Sequence, residues 1–165
     1  MNYKYTYESP LGTMIMLGTL TYLTDLFFVD EAHAPSYDDA GYIEQLTGPF
    51  EVTKMWLDQY FTGKKPFIIP PIKLEGTEFR KSVWVVLQTI PYGVTTTYGD
   101  IGKEIAKQQG KDRMSAQAVG GAVGNNPISI IIPCHRVIGS NGKLTGYAGG
   151  IERKKYMLDL EAKHK

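Results

Sequence analysis

Between Lys64 and Pro71 the chain reads Lys-Lys-Pro-Phe-Ile-Ile-Pro-Pro. Proline fixes its own φ, carries no amide proton and pushes the preceding residue out of helical space. Pro66, Pro70 and Pro71 therefore impose an extended connector, and the hydrophobic period differs on its two sides. Before it, Tyr3, Tyr5 and Tyr7 alternate with polar residues, Ser9-Pro10-Leu11-Gly12 reads as a turn, and Met14–Leu17 and Leu26–Val29 are apolar runs suited to buried strands. Asp38–Leu46 reads as a weak helix. Glu51–Phe61 reads as a better one, with Val52, Met55, Trp56 and Tyr60 on one stripe and Gly63 as its stop. After the connector the pattern is helical. The expectation is an α+β chain in two parts. Residues 1–74 form a small α/β domain with an antiparallel sheet, ending in the linker. Residues 75–165 form a mainly helical, winged-helix-like domain with a helix-turn-helix.

Composition narrows the class. The 165 residues are 42% apolar and 21% charged, as in an ordinary globular protein. No apolar run reaches the ~18 residues of a membrane span. The first residues, Met1–Thr6, lack the apolar stretch of a signal peptide, so a cytoplasmic protein is expected. A single cysteine excludes an intramolecular disulfide and a cysteine-based zinc finger. The net charge of +1 conceals an asymmetry: residues 1–74 hold five Lys, no Arg and nine acids, net −4, whereas residues 75–165 hold nine Lys, four Arg and eight acids, net +5. Only the second part is suited to a polyanion, and a solvated basic face would give the same count.

In that part Thr77 can cap a helix carrying Phe79, Val83, Trp84, Val86 and Leu87, and Ile90-Pro91-Tyr92-Gly93 ends it. Short helices over Tyr98–Gln108 and Arg113–Gly124, joined by a loop at Gly110, have the layout of a helix-turn-helix. Asn125-Asn126-Pro127 breaks the second, Ile128–Ile132 reads as extended, and Ile151–Ala162 as a final helix. The stretch Ser115–Val123 is built almost wholly from small residues, with glycines at 120 and 121. Each costs a helix about 1 kcal/mol relative to alanine. Close packing against another helix would offset this, and so would entry into a groove too narrow for larger side chains.

Cys134 follows Ile130-Ile131-Ile132-Pro133 and precedes His135-Arg136. A lone cysteine is commonly a small buried hydrophobe. The adjacent cationic side chains would instead favour the thiolate that a nucleophile needs. On an extended strand, however, neighbouring residues face opposite ways. Glu161 shares a helical face with Met157 and Leu158, where a carboxylate calls for a partner such as His135 or Arg136.

Ile130–Ile138, around Pro133-Cys134-His135-Arg136, resembles the active-site signature of the O6-alkylguanine-DNA alkyltransferases, or methylated-DNA–protein-cysteine methyltransferases. Gly76-Thr77-Glu78-Phe79, Val83-Trp84, Ile90–Gly93, Thr97-Tyr98, Ala118-Val119-Gly120, Asn126-Pro127 and Gly146–Gly150 fit the same family in order. The likeness is close over residues 76–161 and general over 1–70. It implies a monomeric suicide repair protein without a cofactor. It would bind double-stranded DNA through the minor groove, flip out an O6-alkylguanine and keep the alkyl group on Cys134. The resemblance assigns His135 to activate Cys134 through a bridging water and Glu161 to polarise His135. Asn126 orders the cysteine loop. Tyr98 crowds a phosphate and donates to N3 of the base. The carbonyls of Cys134 and Val137 read its exocyclic amine, and the backbone amides around Tyr147 and Ala148 face O6. Ser115, Ala116, Gln117, Ala118 and Gly120 form the DNA-facing helix, and Arg136 is structural.

The chain departs from the family where an arginine finger fills the gap left by the flipped base: Gln117 stands there. Gly124 and Asn125 supply no cation just after the helix. Zinc in the first domain is not expected, since only His33 is present there as a soft ligand. Gly149 would leave room for bulky alkyl groups. Two other readings share these residues. One is a non-catalytic protein that only binds alkylation lesions, which Cys134 argues against and Gln117 keeps open. The other is a thiol hydrolase using Cys134, His135 and Glu161.

Overall fold

The computed structural model describes residues 1–32, 34–35 and 39–165. His33, the residue on which the zinc expectation turned, lies outside the described residues. Strands β1 (Tyr3–Ser9) and β2 (Gly12–Gly18) form a hairpin in register from Tyr3 opposite Gly18 to Ser9 opposite Gly12. Gly12 takes φ +122° at the turn, a conformation that side-chain-bearing residues rarely adopt. β3 (Leu23–Phe28) pairs antiparallel with β2. Tyr3, Tyr5 and Tyr7 alternate onto the face that packs on the main core, as the period-two pattern requires.

Residues 39–46 differ from expectation. In place of a helix there is one turn of 3-10 helix at Asp39–Gly41 and a short strand, β4 (Ile43–Glu44). β4 joins the open edge of β1 in parallel, so the sheet order is β3-β2-β1-β4 with one parallel pair. The weak apolar stripe of this stretch loses to the backbone hydrogen bonds that a sheet edge offers.

The helices are set by their caps. Thr47, Thr77, Thr97 and Ser115 each accept the amide of the residue three places on, Phe50, Arg80, Asp100 and Ala118. They open α1 (Gly48–Phe61), α2 (Glu78–Leu87), α3 (Tyr98–Gln108) and α4 (Ala116–Gly124). α4 thus begins three residues later than the expected helix over Arg113–Gly124, because Ser115 caps rather than continues a helix. α3 and α4 pack together against α2 as the helix-turn-helix, and Trp84 Nε1 on α2 donates to Ala122 O on α4 at 2.8 Å. α5 (Ile151–His164) closes the chain.

One core cluster runs from Tyr3, Met14 and Phe28 through Tyr60 and Trp84 to Ile132, Cys134 and Met157. The free edge of β3 is covered from both sides of the connector. Leu23 bridges Ile72, and Leu26 bridges Ile128, with Leu26 N on Pro127 O at 2.9 Å and Ser129 N on Leu26 O at 2.8 Å. The segment that leads to the cysteine is therefore held against the sheet.

Candidate active site

Ile128–Ile132 is not an extended strand. Ile132 N turns back onto Ile128 O at 3.1 Å, and Ile130 sits at φ +72°. For a β-branched residue this backbone state costs on the order of 1–3 kcal/mol. Asn126 holds the turn: its Nδ2 donates to Ile132 O at 2.7 Å and its Oδ1 accepts from Ile128 N at 3.0 Å. Cys134–Arg136 then forms one turn of 3-10 helix, whose exit is tied by β6 (Val137–Ile138) pairing with β5 (Thr96–Thr97) at the start of α3. This turn replaces the strand geometry under which Cys134 and His135 would have faced apart.

The turn separates the sulfur from the cationic groups beside it in sequence. His135 and Arg136 point to Glu161 on α5. His135 Nε2 lies 2.6 Å from Glu161 Oε2, Arg136 Nε donates to Oε1 at 2.7 Å, and Gly93 N donates to Oε1 at 3.0 Å. Arg136 also donates to Ile90 O at 2.7 Å. Glu161 and His135 are 1% and 0% exposed, so these bonds must satisfy them. Burial opposes ionisation of Glu161, but the bonds to His135 and Arg136 outweigh it and hold its carboxyl at about 2. Burial pushes His135 below its usual value against the pull of Glu161. The ring is neutral at neutral pH, and its Nδ1 has no hydrogen-bond partner among the described residues.

Cys134 is 6% exposed. Burial raises its thiol to about 11, against smaller opposing effects from Asn126 and Lys154. The expectation that adjacent cations depress it is overturned, because His135 is neutral and Arg136 is bonded to Glu161. A thiol at rest must shed its proton as it reacts.

Cys134 opens onto a pocket of about 260 Å³ walled by Tyr98, Gly120, Val123, Gly124, Tyr147 and Ala148. Tyr98 OH accepts from Thr145 Oγ1 at 3.2 Å, which leaves its own proton to donate. Val137 is buried; its amide closes the 3-10 turn on Cys134 O, and its carbonyl accepts from Lys154 Nζ at 2.6 Å. Each carbonyl retains a second lone pair. Gly149 does not widen this pocket: a Cβ there would lie 2.6 Å from the Tyr147 ring, so the glycine seats that ring.

α4 forms the pocket's outer wall. It buries Val119, Ala122 and Val123 and leaves Ala116, Gln117 and Ala118 exposed, beside the exposed cap Ser115. A Cβ at Gly120, Gly121 or Gly124 would meet nothing within 4 Å. Packing within the chain therefore does not account for these glycines.

Two contributors escaped the sequence reading. Tyr60 on α1 donates to Glu161 Oε2 at 2.6 Å and lies 3.3 Å from His135 Nε2. Lys154, fully buried on α5, holds the carbonyls of Val137 and Thr145 at 2.6 and 3.3 Å. Tyr60 read as one member of an apolar stripe. Lys154 lies between Arg153 and Lys155, so its sequence neighbours give no local sign of burial.

A buried thiol at the foot of a pocket, backed by a histidine–glutamate pair and roofed by a helix-turn-helix, defines a DNA-binding protein with a nucleophilic cysteine. The comparisons with known proteins narrow the class. Residues 2–75 match the model of the 6-O-methylguanine DNA methyltransferase ribonuclease-like domain, and residues 78–163 that of the 6-O-methylguanine DNA methyltransferase DNA binding domain. A methylated-DNA–protein-cysteine methyltransferase of Mycolicibacterium paratuberculosis is 43% identical over 159 residues, 96% of this chain and 92% of that one. One from Methanosarcina acetivorans is 41% identical, over 96% of this chain and 97% of its own. The crystal structure of Mycobacterium tuberculosis OGT in complex with DNA superposes with a TM-score of 0.85 at 39% identity, covering 98% and 94% of the two chains. The chain belongs to the 6-O-methylguanine DNA methyltransferase family.

Proposed function

We propose that this chain repairs DNA by one irreversible transfer of an alkyl group from O6 of a flipped guanine to Cys134. The observation that carries the reading is the placement of Cys134 Sγ at the foot of the Tyr98–Tyr147 pocket, with His135 and Glu161 behind it. The thiol proton passes through water to His135 Nδ1, the ring nitrogen left without a protein partner among the described residues. Anionic Glu161 stabilises the imidazolium that forms. The S–C bond forms as the C–O6 bond breaks, and the electron pair passes into guanine, whose N3 takes a proton from Tyr98. A thioether remains, a bond that water does not cleave under ordinary conditions, so each molecule acts once.

Asn126 fixes the turn that aims the sulfur. The carbonyls of Cys134 and Val137 select the exocyclic amine, and the backbone around Tyr147 and Ala148 receives O6. Ser115, Ala116, Gln117, Ala118 and Gly120 meet the minor groove of double-stranded DNA, where the small residues of α4 let its backbone approach. Flipping costs a few kcal/mol, less for a poorly paired base. Residues 1–74 act as the buttress and 75–165 as the DNA-reading and reacting part. No described helix is long and apolar enough to cross a membrane. The setting we propose is the cytoplasm, as a monomer, on nucleoid DNA in a prokaryote.

The test is a peptide mass map after incubation with duplex DNA carrying one O6-methylguanine. Gain of one CH₂ on the Cys134 peptide, saturating at one per molecule, is the expected result. Binding without any mass gain would hand the site to the lesion-binding reading.

A further inference from the structure

Glu31 is a carboxylate in the neighbourhood of the cysteine that the scheme above leaves without a task. It ends the turn that follows β3, with its amide on Phe28 O at 3.2 Å. Its Oε1 accepts from Phe28 N at 2.8 Å and from Ser129 Oγ at 3.4 Å. Ser129 is 3% exposed and sits in the strained turn that delivers Cys134. The next residue, Ala32, lines the cysteine pocket and donates its amide to Ala148 O at 2.9 Å. The Phe28–Ala32 segment thus touches both sides of the reacting sulfur, the turn before it and the Tyr147–Ala148 wall opposite.

Among the described residues no cation bonds the half-buried Glu31, whose charge is met only by Phe28 N and Ser129 Oγ. Arg153 on α5 is engaged elsewhere: it pairs with Asp30 at 2.8 Å, donates to Leu11 O and Gly149 O, and stacks over Phe28 at 4.1 Å. Arg153 attracts Glu31 without bonding it, and Asp30 repels it more weakly. Tyr147 and Cys134 both feel Glu31 as an unfavourable neighbour for their own ionisation. Lys154 acts on Cys134 in the opposite sense, from the far side.

We propose, resting on the transfer reading above, that Glu31 is a positioning residue with a braking charge. Its side chain latches the Ser129 turn that aims Cys134, and its anion opposes loss of the thiol proton. Burial lifts the carboxyl of Glu31 to about 7, so the anion forms across the neutral range. Below that pH Glu31 is a neutral acid that still latches the turn. Above it, the negative charge partly cancels the gain in thiolate that rising pH would otherwise bring. A brake has a clear use here. The chain has one cysteine and each transfer consumes it, so reaction with a stray electrophile wastes the whole molecule.

The single cysteine makes the test clean. The rate of Cys134 modification by methyl methanethiosulfonate, read by intact mass, is followed from about pH 5.5 to about pH 8.5 in the unchanged protein, Glu31→Gln, Glu31→Ala and Ser129→Ala. Methyl transfer from O6-methylguanine duplex is measured in parallel. In Glu31→Gln the logarithm of the rate rises with unit slope throughout. In the unchanged protein it flattens around neutrality, so the two coincide in acid and differ by about threefold at the alkaline end, half a pKa unit. Ser129→Ala keeps the flattening and slows methyl transfer evenly, because it removes the latch and leaves the charge. Glu31→Ala loses both. A Glu31→Gln to unchanged ratio that stays constant with pH overturns the proposal even if methyl transfer proceeds. Flattened thiol kinetics without methyl transfer from DNA would instead overturn the transfer reading and leave the charge effect standing.

Discussion

The two sides of Cys134 are built on opposite plans. Behind it, Glu161, His135, Arg136 and Tyr60 form a closed set in which Glu161 takes bonds from three side chains and one backbone amide. In front of it, α4 shows solvent a run of alanine, glutamine and glycine, and a Cβ at any of its three glycines would meet nothing. The rear wall is explained by contacts inside the chain. The front wall is explained only by a partner whose shape the chain must not obstruct. Stability and function should therefore separate on mutation: the rear wall carries both, the front wall function alone.

The largest expected effect breaks the rear wall. Glu161→Gln leaves Arg136 and its neighbours buried without their anion, and removal of one partner from such a set typically costs about 3–5 kcal/mol. Urea unfolding should show a loss of that size, and methyl transfer should fall with it. A loss below about 1 kcal/mol would mean that the set is solvated in solution and that the contrast is false.

Acid attacks the same wall. The carboxyl of Glu161 is held at about 2, so its contribution is present above the ordinary carboxylate value and is lost as pH falls through about 2. His135 is buried neutral, so its contribution is complete above about 6.5 and declines as pH falls below it. Glu31, lifted to about 7, adds stability over the same fall in pH, so the His135 stage is read as the difference between the unchanged protein and His135→Gln, and the Glu161 stage as the decline below about 4.5. His135→Gln should remove the first stage and shrink the second, which Arg136 alone then supports.

The front wall should respond in the other sense. Gly121 is an exposed helix-interior glycine with open space at its Cβ. Gly121→Leu should leave the chain as stable or add up to about 1 kcal/mol through helix propensity. Its affinity for duplex DNA should fall about tenfold, or about 1.4 kcal/mol, since a side chain then stands where the groove floor must approach. Thermal unfolding and a binding titration read the two quantities separately. Destabilisation by Gly121→Leu would show that the glycines serve internal packing after all.

What the sequence disclosed follows the same division. Period-two tyrosines, hydroxyl caps and the proline connector are local signals, and β1, α2 and α3 follow them. The pairing of Glu161 with His135 and Arg136 was legible because a carboxylate on an apolar face demands a partner. Where local signals were weak, tertiary bonding decided. Residues 39–46 went to the sheet edge, and Ile128–Ile132 folded into a turn because Asn126 supplies both a donor and an acceptor to it. The state of Cys134 was misread for a related reason. Adjacency in sequence placed two cations beside the sulfur, while the 3-10 turn aimed them at Glu161. Tyr60 and Lys154 act across long sequence separations, which no local pattern encodes.

The smallest expected effect tests what the front wall lacks. Gln117 is exposed on α4, where the resemblance expects the residue that would fill the gap left by a flipped base. Glutamine can hydrogen-bond an orphaned base, but it is shorter, neutral and without a guanidinium plane to stack. Gln117→Arg should change stability by no more than about 0.5 kcal/mol, because the site is solvated and nothing packs on it. Repair of duplex DNA should quicken severalfold, while repair of a single strand, whose base needs no replacement in a stack, should change little. Pre-steady-state transfer on the two substrates gives the ratio directly. If Gln117→Arg speeds both equally, the added charge is acting through general attraction to phosphate, and high salt should erase the gain. If it speeds neither, flipping does not limit this protein, and the slow step lies with the buried thiol behind the pocket.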